Sequence, residues 1–167
     1  MKKVLKLCGL IVLVSFIMTS VIHSTVPDSA EPHPDQAVNT LMAVGDISFS
    51  GIDHIILKNP EYPFAGTKEI LEKATTLMGN QEIPLSKRGS IYTKKKWILR
   101  ADPRTVQSLV LAGFDIVTLA NNHILDWGPI AMQDTLDTLD AAKIAHTGAG
   151  ANLDEARRPA FLTTPDG

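Results

Sequence analysis

The chain has a single cysteine, Cys8, among its 167 residues. One thiol cannot close an internal disulfide, so no covalent staple is available to this fold. Cys8 is also badly placed for lipidation. Leu5, Lys6 and Leu7 precede it, and a charge beside bulky side chains does not suit a lipoprotein cleavage site. There is no internal repeat and no low-complexity tract, which sets aside solenoids and arrays. There is no basic excess either: the formal net charge is -2. Lys2, Lys3 and Lys6 are three of the 16 basic side chains, and none of the 18 acidic ones falls in the first 27 residues. The remainder therefore carries 13 basic against 18 acidic groups, which offers no nucleic-acid surface. No nucleic-acid partner is expected.

What is there begins with an apolar N-terminus. Behind the three lysines, Leu7 to Ile22 is interrupted by hydroxyls only at Ser15, Thr19 and Ser20. The run is long for a cleaved signal and slightly short for a full membrane span, and no clean A-x-A site follows it. Residues 1–24 read as a signal anchor in preference to a cleaved signal peptide. The positive-inside rule then keeps the lysines in the cytoplasm and puts the rest outside. The expected location is the cell membrane, single-pass with the domain outside, or secreted if the signal is cleaved. Residues 25–38, rich in Pro, Asp, Glu and Ser, read as a flexible linker, with His33 incidental within it. Residues 39–167 leave room for one domain.

Within that domain apolar runs alternate with helical spacings. Thr40–Val44 reads as a first strand with Asp46 at its exit, and Ile52–Leu57 as a short helix before Pro60 and Pro63. Thr67–Lys73 has helical spacing with Ile70, Leu71 and Ala74 on one side. Thr75–Met78 is expected as a second strand, leaving Gly79-Asn80-Gln81-Glu82 at its end, and Pro84–Thr93 as a polar loop. Asp102-Pro103 is a helix start, with Val106, Leu109 and Val110 as its apolar stripe and Gly113 as its stop. A strand over Asp115–Ala120 follows. A helix over Pro129–Lys143 is expected to bury Met132, Leu136 and Leu139. Ile144–His146 reads as a short strand, Asn152 as the cap of a turn through Ala156, and Pro159–Thr163 as another strand. Strands alternating with helices predict an α/β fold with a parallel, layered sheet. Thr164-Pro165-Asp166-Gly167 is a turn signal, and the expectation is a domain cut at a hairpin.

The segment Gly113–Gly128, GFDIVTLANNHILDWG, carries the strongest chemical signal. An apolar, β-branched strand enters a turn holding Asn121, Asn122, His123 and Asp126. In open α/β sheets, chemistry sits just beyond the carboxyl ends of such strands. Two other strand ends supply Asp46, and Asn80 with Glu82. Carboxylates, amides and an imidazole from successive strand ends are the donors a divalent metal centre uses to polarise an ester or phosphoryl oxygen. A Gly-Asp after a strand is also a common turn cap, and Asn-Asn-His alone is as readily a satisfied turn.

AVGDISFSG at 43–51, GNQEIPLS at 79–86, AGFDIVTLANNHILDWG at 112–128 and DTLDTLDAAKIAHTGAGANLDEARRPAF at 134–161 resemble the CapA family of capsule or poly-γ-glutamate biosynthesis proteins. The resemblance covers Leu41 to Gly167. It implies an incomplete, N-terminal portion of a metallophosphoesterase-like α/β/β/α sandwich with divalent metal ions, in a dinuclear site. It implies Asp46, Glu82, Asn122 and His123 as metal ligands, and His123 and Asn122 as catalytic groups. Asn80, Asn121, Asp126 and Arg100 would support them. Gln81 stands where the family usually has Leu, and Ser48 where many metallophosphoesterases place a His ligand. The family's later His-Trp-Gly and Gly-His-His-Pro elements are not in this sequence. The function implied is a membrane-anchored accessory of capsule or poly-γ-glutamate biosynthesis or export. Its expected partners are the membrane-bound synthase components and the polymer. The alternatives are a metal-dependent phosphoesterase or amide hydrolase outside the cytoplasm, and an inactive fragment.

Lys87, Arg88, Lys94, Lys95, Lys96 and Arg100 form a basic stretch around Tyr92 and Trp97. Such a stretch attracts a polyanion, but a solvated loop is the preferred reading. Asp134, Asp137 and Asp140 read as an exposed helix face, Gly148-Ala149-Gly150 as a tight turn, and His54 and His146 as surface or packing residues. Trp127 either walls the site or covers the core edge.

Overall fold

A computed structural model describes residues 38–164 of the chain. The expected anchor over 1–24 and all but the last residue of the expected linker lie outside these residues, as do the last three residues of the turn signal. Among the described residues, no helix is long and apolar enough to cross a membrane.

Four strands form one sheet: β1 (Leu41–Ile47), β2 (Thr76–Gln81), β3 (Ile116–Thr118) and β4 (Ala145–Thr147). They lie side by side in chain order and every neighbouring pair is parallel. Parallel neighbours require crossover connections. Helices α1 (Asp53–Ile56) and α2 (Lys68–Leu71) lie between β1 and β2 in the chain, α3 (Val106–Ala112) between β2 and β3, and α4 (Pro129–Ala141) between β3 and β4. A further turn, α5 (Leu153–Ala156), follows β4. The expected α/β class and parallel sheet are therefore present.

The local signals act as their chemistry requires. The Asp102 carboxylate accepts from the Arg104 backbone N–H and starts a 3-10 turn that runs into α3. Gly113 ends α3 at φ 80°, a left-handed conformation that costs glycine nothing. Asn152 caps α5 by accepting from the Glu155 N–H. Helix α4 buries Met132, Leu136 and Leu139 as its periodicity predicts, and adds Ala131 and Thr135. The core lies where these faces meet the sheet, with Leu77, Val117, Leu109 and Leu139 fully enclosed. Each such aliphatic side chain contributes roughly 1.5–3 kcal/mol of burial free energy. Phe64 bridges Phe49 (6.4 Å, edge-on) and Phe114 (5.3 Å, tilted), tying the β1–β2 connection to the start of β3.

Several expectations need correction. Strand β2 continues through Gly79, Asn80 and Gln81, because these residues keep the register Asp46↔Asn80 and Ile47↔Gln81 with β1. Only Glu82 lies past its end, its N–H donating to the Ile47 carbonyl. Helix α2 is a single turn whose Leu71 is buried while Ile70 faces solvent. On α3, Val110 is likewise exposed, and Ser108 and Ala112 take the inward positions with Leu109. Pro159–Thr163 forms no strand. It has no ladder partner among the described residues, and Phe161 is 87% exposed.

Candidate functional site

The carboxyl ends of β1, β2 and β3 meet in one hydrogen-bonded network. Asn80, near the end of β2, donates from Nδ2 to Asp46 Oδ1 on β1 at 2.6 Å. Its Oδ1 accepts from Thr118 on β3 at 3.2 Å and from Asn121 Nδ2 at 3.1 Å. Asn121 also donates to the Gln81 carbonyl at 2.9 Å. Its own Oδ1 accepts the backbone N–H groups of His123 (2.9 Å) and Ile124 (3.0 Å). One amide therefore shapes the turn and fastens it to β2. This is an Asx-type turn, the use of Asn that the turn chemistry favours.

The turn presents His123, which is buried to 8% exposure. Its Nδ1 lies 2.6 Å from Asp126 Oδ2. Asp126 is fully buried. Burial opposes its ionisation, but hydrogen bonds from Lys95, His123 and the Leu99 N–H outweigh that and hold its carboxyl below the usual range. A carboxylate acceptor favours a proton on Nδ1, and in the neutral ring that makes Nε2 the lone-pair nitrogen. Nε2 faces Glu82, with Oε1 at 3.9 Å. That gap is too long for a hydrogen bond.

Lys95 completes the site and was not singled out from sequence. Its ammonium lies 2.5 Å from Asp126 Oδ1 and also donates to the Asn122 carbonyl. Leu99 N–H donates to Asp126 Oδ2 at 2.8 Å, and Tyr92 N–H to the Asp126 carbonyl at 2.9 Å. The basic loop is thus laced onto the His123 turn. Gly89 shows how closely. A Cβ there would stand 2.1 Å from the Trp127 carbonyl oxygen, at a φ of 90°. A buried carboxylate needs a counter-charge, and that was the available signal for Lys95.

The structure therefore brings together Asp46, Asn80, Asn121, His123, Asp126 and Glu82. Asn122 is exposed beside His123 and contributes a backbone carbonyl to Lys95. Arg100 is not in the network. Its guanidinium stacks on Trp127, 3.5 Å from the ring centroid. Trp127 thus walls the flank of the turn, with its indole N–H buried and without a hydrogen-bond partner among the described residues.

The basic loop is less solvated than its composition suggests. Lys87 pairs with Asp102 at 2.7 Å, and Arg88 pairs with Asp134 through Nε at 3.0 and 3.1 Å. Asp134 is consequently not part of an exposed acidic face. Its carboxyl is held below the usual range, first by the Arg88 hydrogen bonds, against burial, and further by Ser86. Asp137 accepts from Gln133 on that face. Asp140, which is exposed, lies 3.0 Å from His146 Nε2.

The donor set matches a divalent cation in kind. Carboxylate oxygens and an imidazole are present, and the far nitrogen of that imidazole is fixed by a carboxylate, as is usual for metal-bound histidine. The 3.9 Å separation is wider than the roughly 3.4 Å that two donors about 2.1 Å from one tetrahedral cation would show, so the pair would have to draw together to share one. The match in number is partial. Among the described residues, no three His, Cys, Asp or Glu side chains converge. Glu82 and His123 thus fit as two donors of a shell, not as a whole one.

Residues 40–167 match the family described as bacterial capsule synthesis protein PGA_cap. The chain belongs to that family. It is 35% identical over 104 residues to a probable polyglutamine synthesis accessory protein of Mycobacterium tuberculosis, covering 61% of this chain and 27% of the relative. It is 28% identical over 130 residues to the capsule biosynthesis protein CapA of Bacillus anthracis, covering 75% of this chain and 32% of the relative. The PGA biosynthesis protein CapA of Bacillus subtilis is 28% identical over 102 residues, covering 60% of this chain and 27% of the relative. The chain thus spans about a third or less of the length of these relatives. Membership agrees with the motif resemblance.

Proposed function

We propose that this chain acts outside the cytoplasm, held at the membrane by its N-terminal apolar segment, in the synthesis or export of a polyglutamate-type capsule polymer. In this reading the strand-exit cluster cleaves an ester, phosphoester or amide linkage with the help of a divalent cation. The observation that carries it is the Asp126–His123 couple, with Nε2 turned toward Glu82 across 3.9 Å.

Glu82 and His123 would hold the cation, with Asp46 and Asn122 as the further candidates at the same sheet edge. Such a cation, when bound, would supply Lewis acidity there for polarising an oxygen and lowering the pKa of a water. The chain's own residues supply the rest. Asp126 keeps the proton on Nδ1 and stabilises positive charge on the ring. Nε2 is then available to ligate or to accept a proton. Lys95 keeps Asp126 ionised while that carboxylate is buried. Asn121 and Asn80 hold the turn against β2, so His123 does not have to be ordered when substrate arrives. Family membership supports the polymer. The expected partners are membrane-bound synthase components.

The test is release of product from polyglutamate and from a generic phosphodiester by the full chain with added Mn²⁺ or Zn²⁺. Turnover lost in both Glu82→Gln and His123→Ala supports the reading. Turnover indifferent to both, or none with any metal, rejects the hydrolase.

A second reading has its own observation. The described residues lack a three-ligand cluster, which favours a role in binding the polymer or the synthase without cleavage. Capsule formation that persists with His123→Ala but fails without the chain would select it.

A further inference from the structure

The loop over residues 89–99 is fastened to a single buried residue. The Tyr92 N–H donates to the Asp126 carbonyl, the Lys95 ammonium reaches Asp126 Oδ1, and the Leu99 N–H donates to Oδ2. The Tyr92 ring also lies over Gly128, where an added Cβ would stand 3.7 Å from it. These anchors occupy the inner side of the loop. On its outer side Ile91, Tyr92 and Trp97 are 62%, 63% and 65% exposed. Each lies within two residues of an anchor, at most roughly 7 Å of chain, so all three surround the surface above Asp126. The turn adds Leu125 and Ile130, both exposed, and Ile130 borders the loop at Gly89. Five exposed apolar side chains on one loop-and-turn unit are a patch, not scattered singles. Lys94 and Lys96 stand within it, exposed and without a carboxylate partner among the described residues. Residues 87–100 contain no acidic side chain.

We infer that this patch rests on an anionic lipid surface, with Tyr92 and Trp97 at headgroup level and Lys94 and Lys96 among the phosphates. Tyrosine and tryptophan settle at the boundary where one end of the ring is apolar and the other wet. Lysine stems lie along apolar surface and send their ammonium groups to the polar layer. The Lys96 ammonium lies 5.1 Å from the Trp97 ring centroid, so cation and indole sit at one depth. Charge complementarity selects the surface, since two unpaired cations and no acid match a sheet of anionic phosphates. Shape selects it over a folded partner. Ile91, Tyr92 and Trp97 protrude, and a fluid headgroup layer receives them without fitted pockets, which a protein would have to supply. The same loop holds the turn that presents His123, so lipid contact sets that turn at the bilayer surface. The contact depends on neither metal nor cleavage.

The test places the full chain in vesicles whose phospholipids carry bromine near the headgroup end of the acyl chain, a quencher that acts at contact. The chain has two tryptophans, Trp97 and Trp127. In phosphatidylglycerol vesicles the emission should be quenched relative to unbrominated lipid, and Trp97→Phe should remove most of that quenching. Lys94→Gln with Lys96→Gln should lower the contact equilibrium about fivefold per lysine. Rising salt should act in the same direction, and phosphatidylcholine vesicles should quench wild type no more than phosphatidylglycerol vesicles quench the Gln pair. Lys94→Arg with Lys96→Arg should quench like wild type, and circular dichroism of every variant should be unchanged. An unquenched Trp97 would overturn the proposal. So would quenching indifferent to lipid charge and to both lysines, which is what tethering by the N-terminal segment alone would produce. His123→Ala should leave the quenching unchanged, so failure of the hydrolase and failure of the lipid contact are read separately.

Discussion

Asp126 Oδ2 and His123 Nδ1 lie 2.6 Å apart, and both side chains are buried three residues apart on one turn. This contact fixes both the orientation of the imidazole and the position of its proton. Replacing Asp126 by Asn keeps the shape but removes the charge. Metal affinity or turnover should fall about 10- to 100-fold, with His123 losing its single tautomer in nitrogen NMR. Asp126→Ala, which also strands Lys95, should cost about 3–5 kcal/mol of stability by denaturant titration. Unchanged tautomer and unchanged stability in these two variants would contradict the assignment.

Asn121 serves four hydrogen bonds, two as acceptor and two as donor. Asn121→Ala leaves the His123 and Ile124 N–H groups and the Gln81 carbonyl without their partner. A loss of about 1–3 kcal/mol is expected. Asn121→Asp keeps the acceptor and loses the donors, so it should fall between wild type and Ala. The denaturation midpoint of each variant checks the order.

Gly89→Ala tests the lacing of the basic loop onto the turn. The new Cβ meets the Trp127 carbonyl, and the residue must also hold a φ of 90°. Strain of about 1–3 kcal/mol is expected, released by lifting the loop. Limited proteolysis should then cut between 88 and 99 faster than in wild type. Equal cutting rates would mean the loop is not held there.

The pH dependence follows from Asp134. Its carboxyl is held low chiefly by Arg88, so the folded state binds the proton less readily than the unfolded chain. The contribution is complete above the ordinary carboxylate pKa of about 4 and is lost as pH falls through the lower, folded value. Arg88→Met should reduce stability at pH 7 and flatten the acid limb below about pH 4. Melting temperatures at a series of pH values read both effects. An acid limb as steep as wild type's would assign it to other carboxylates, of which Asp102, held low first by Arg104, is the foremost.

Local chemistry was legible in the sequence. The Asp102 and Asn152 caps, the Gly113 stop and the buried face of α4 each depend on residues within a few positions. So was the site's focus, because Asn121, His123 and Asp126 act within one turn. What escaped was long-range pairing. Asn80 and Gln81 look like loop residues by polarity, yet they are strand residues: the Asn80 side chain bonds to β1 and β3, and the Gln81 carbonyl accepts from Asn121. Asp134 fits an exposed acidic periodicity, but its partner Arg88 is 46 positions away. Lys95 reads as one cation in a run, and only the buried Asp126 distinguishes it from Lys94 and Lys96. Pro159–Thr163 has strand-like composition, but a strand also needs a neighbour.

Equilibrium binding of Mn²⁺ and Zn²⁺ to the full chain, in wild type, Glu82→Gln and His123→Ala, tests the central claim most directly. The account predicts saturable binding at a site that both substitutions weaken at least tenfold, with folding intact by circular dichroism. Binding that neither substitution changes, or none at millimolar metal, would contradict it.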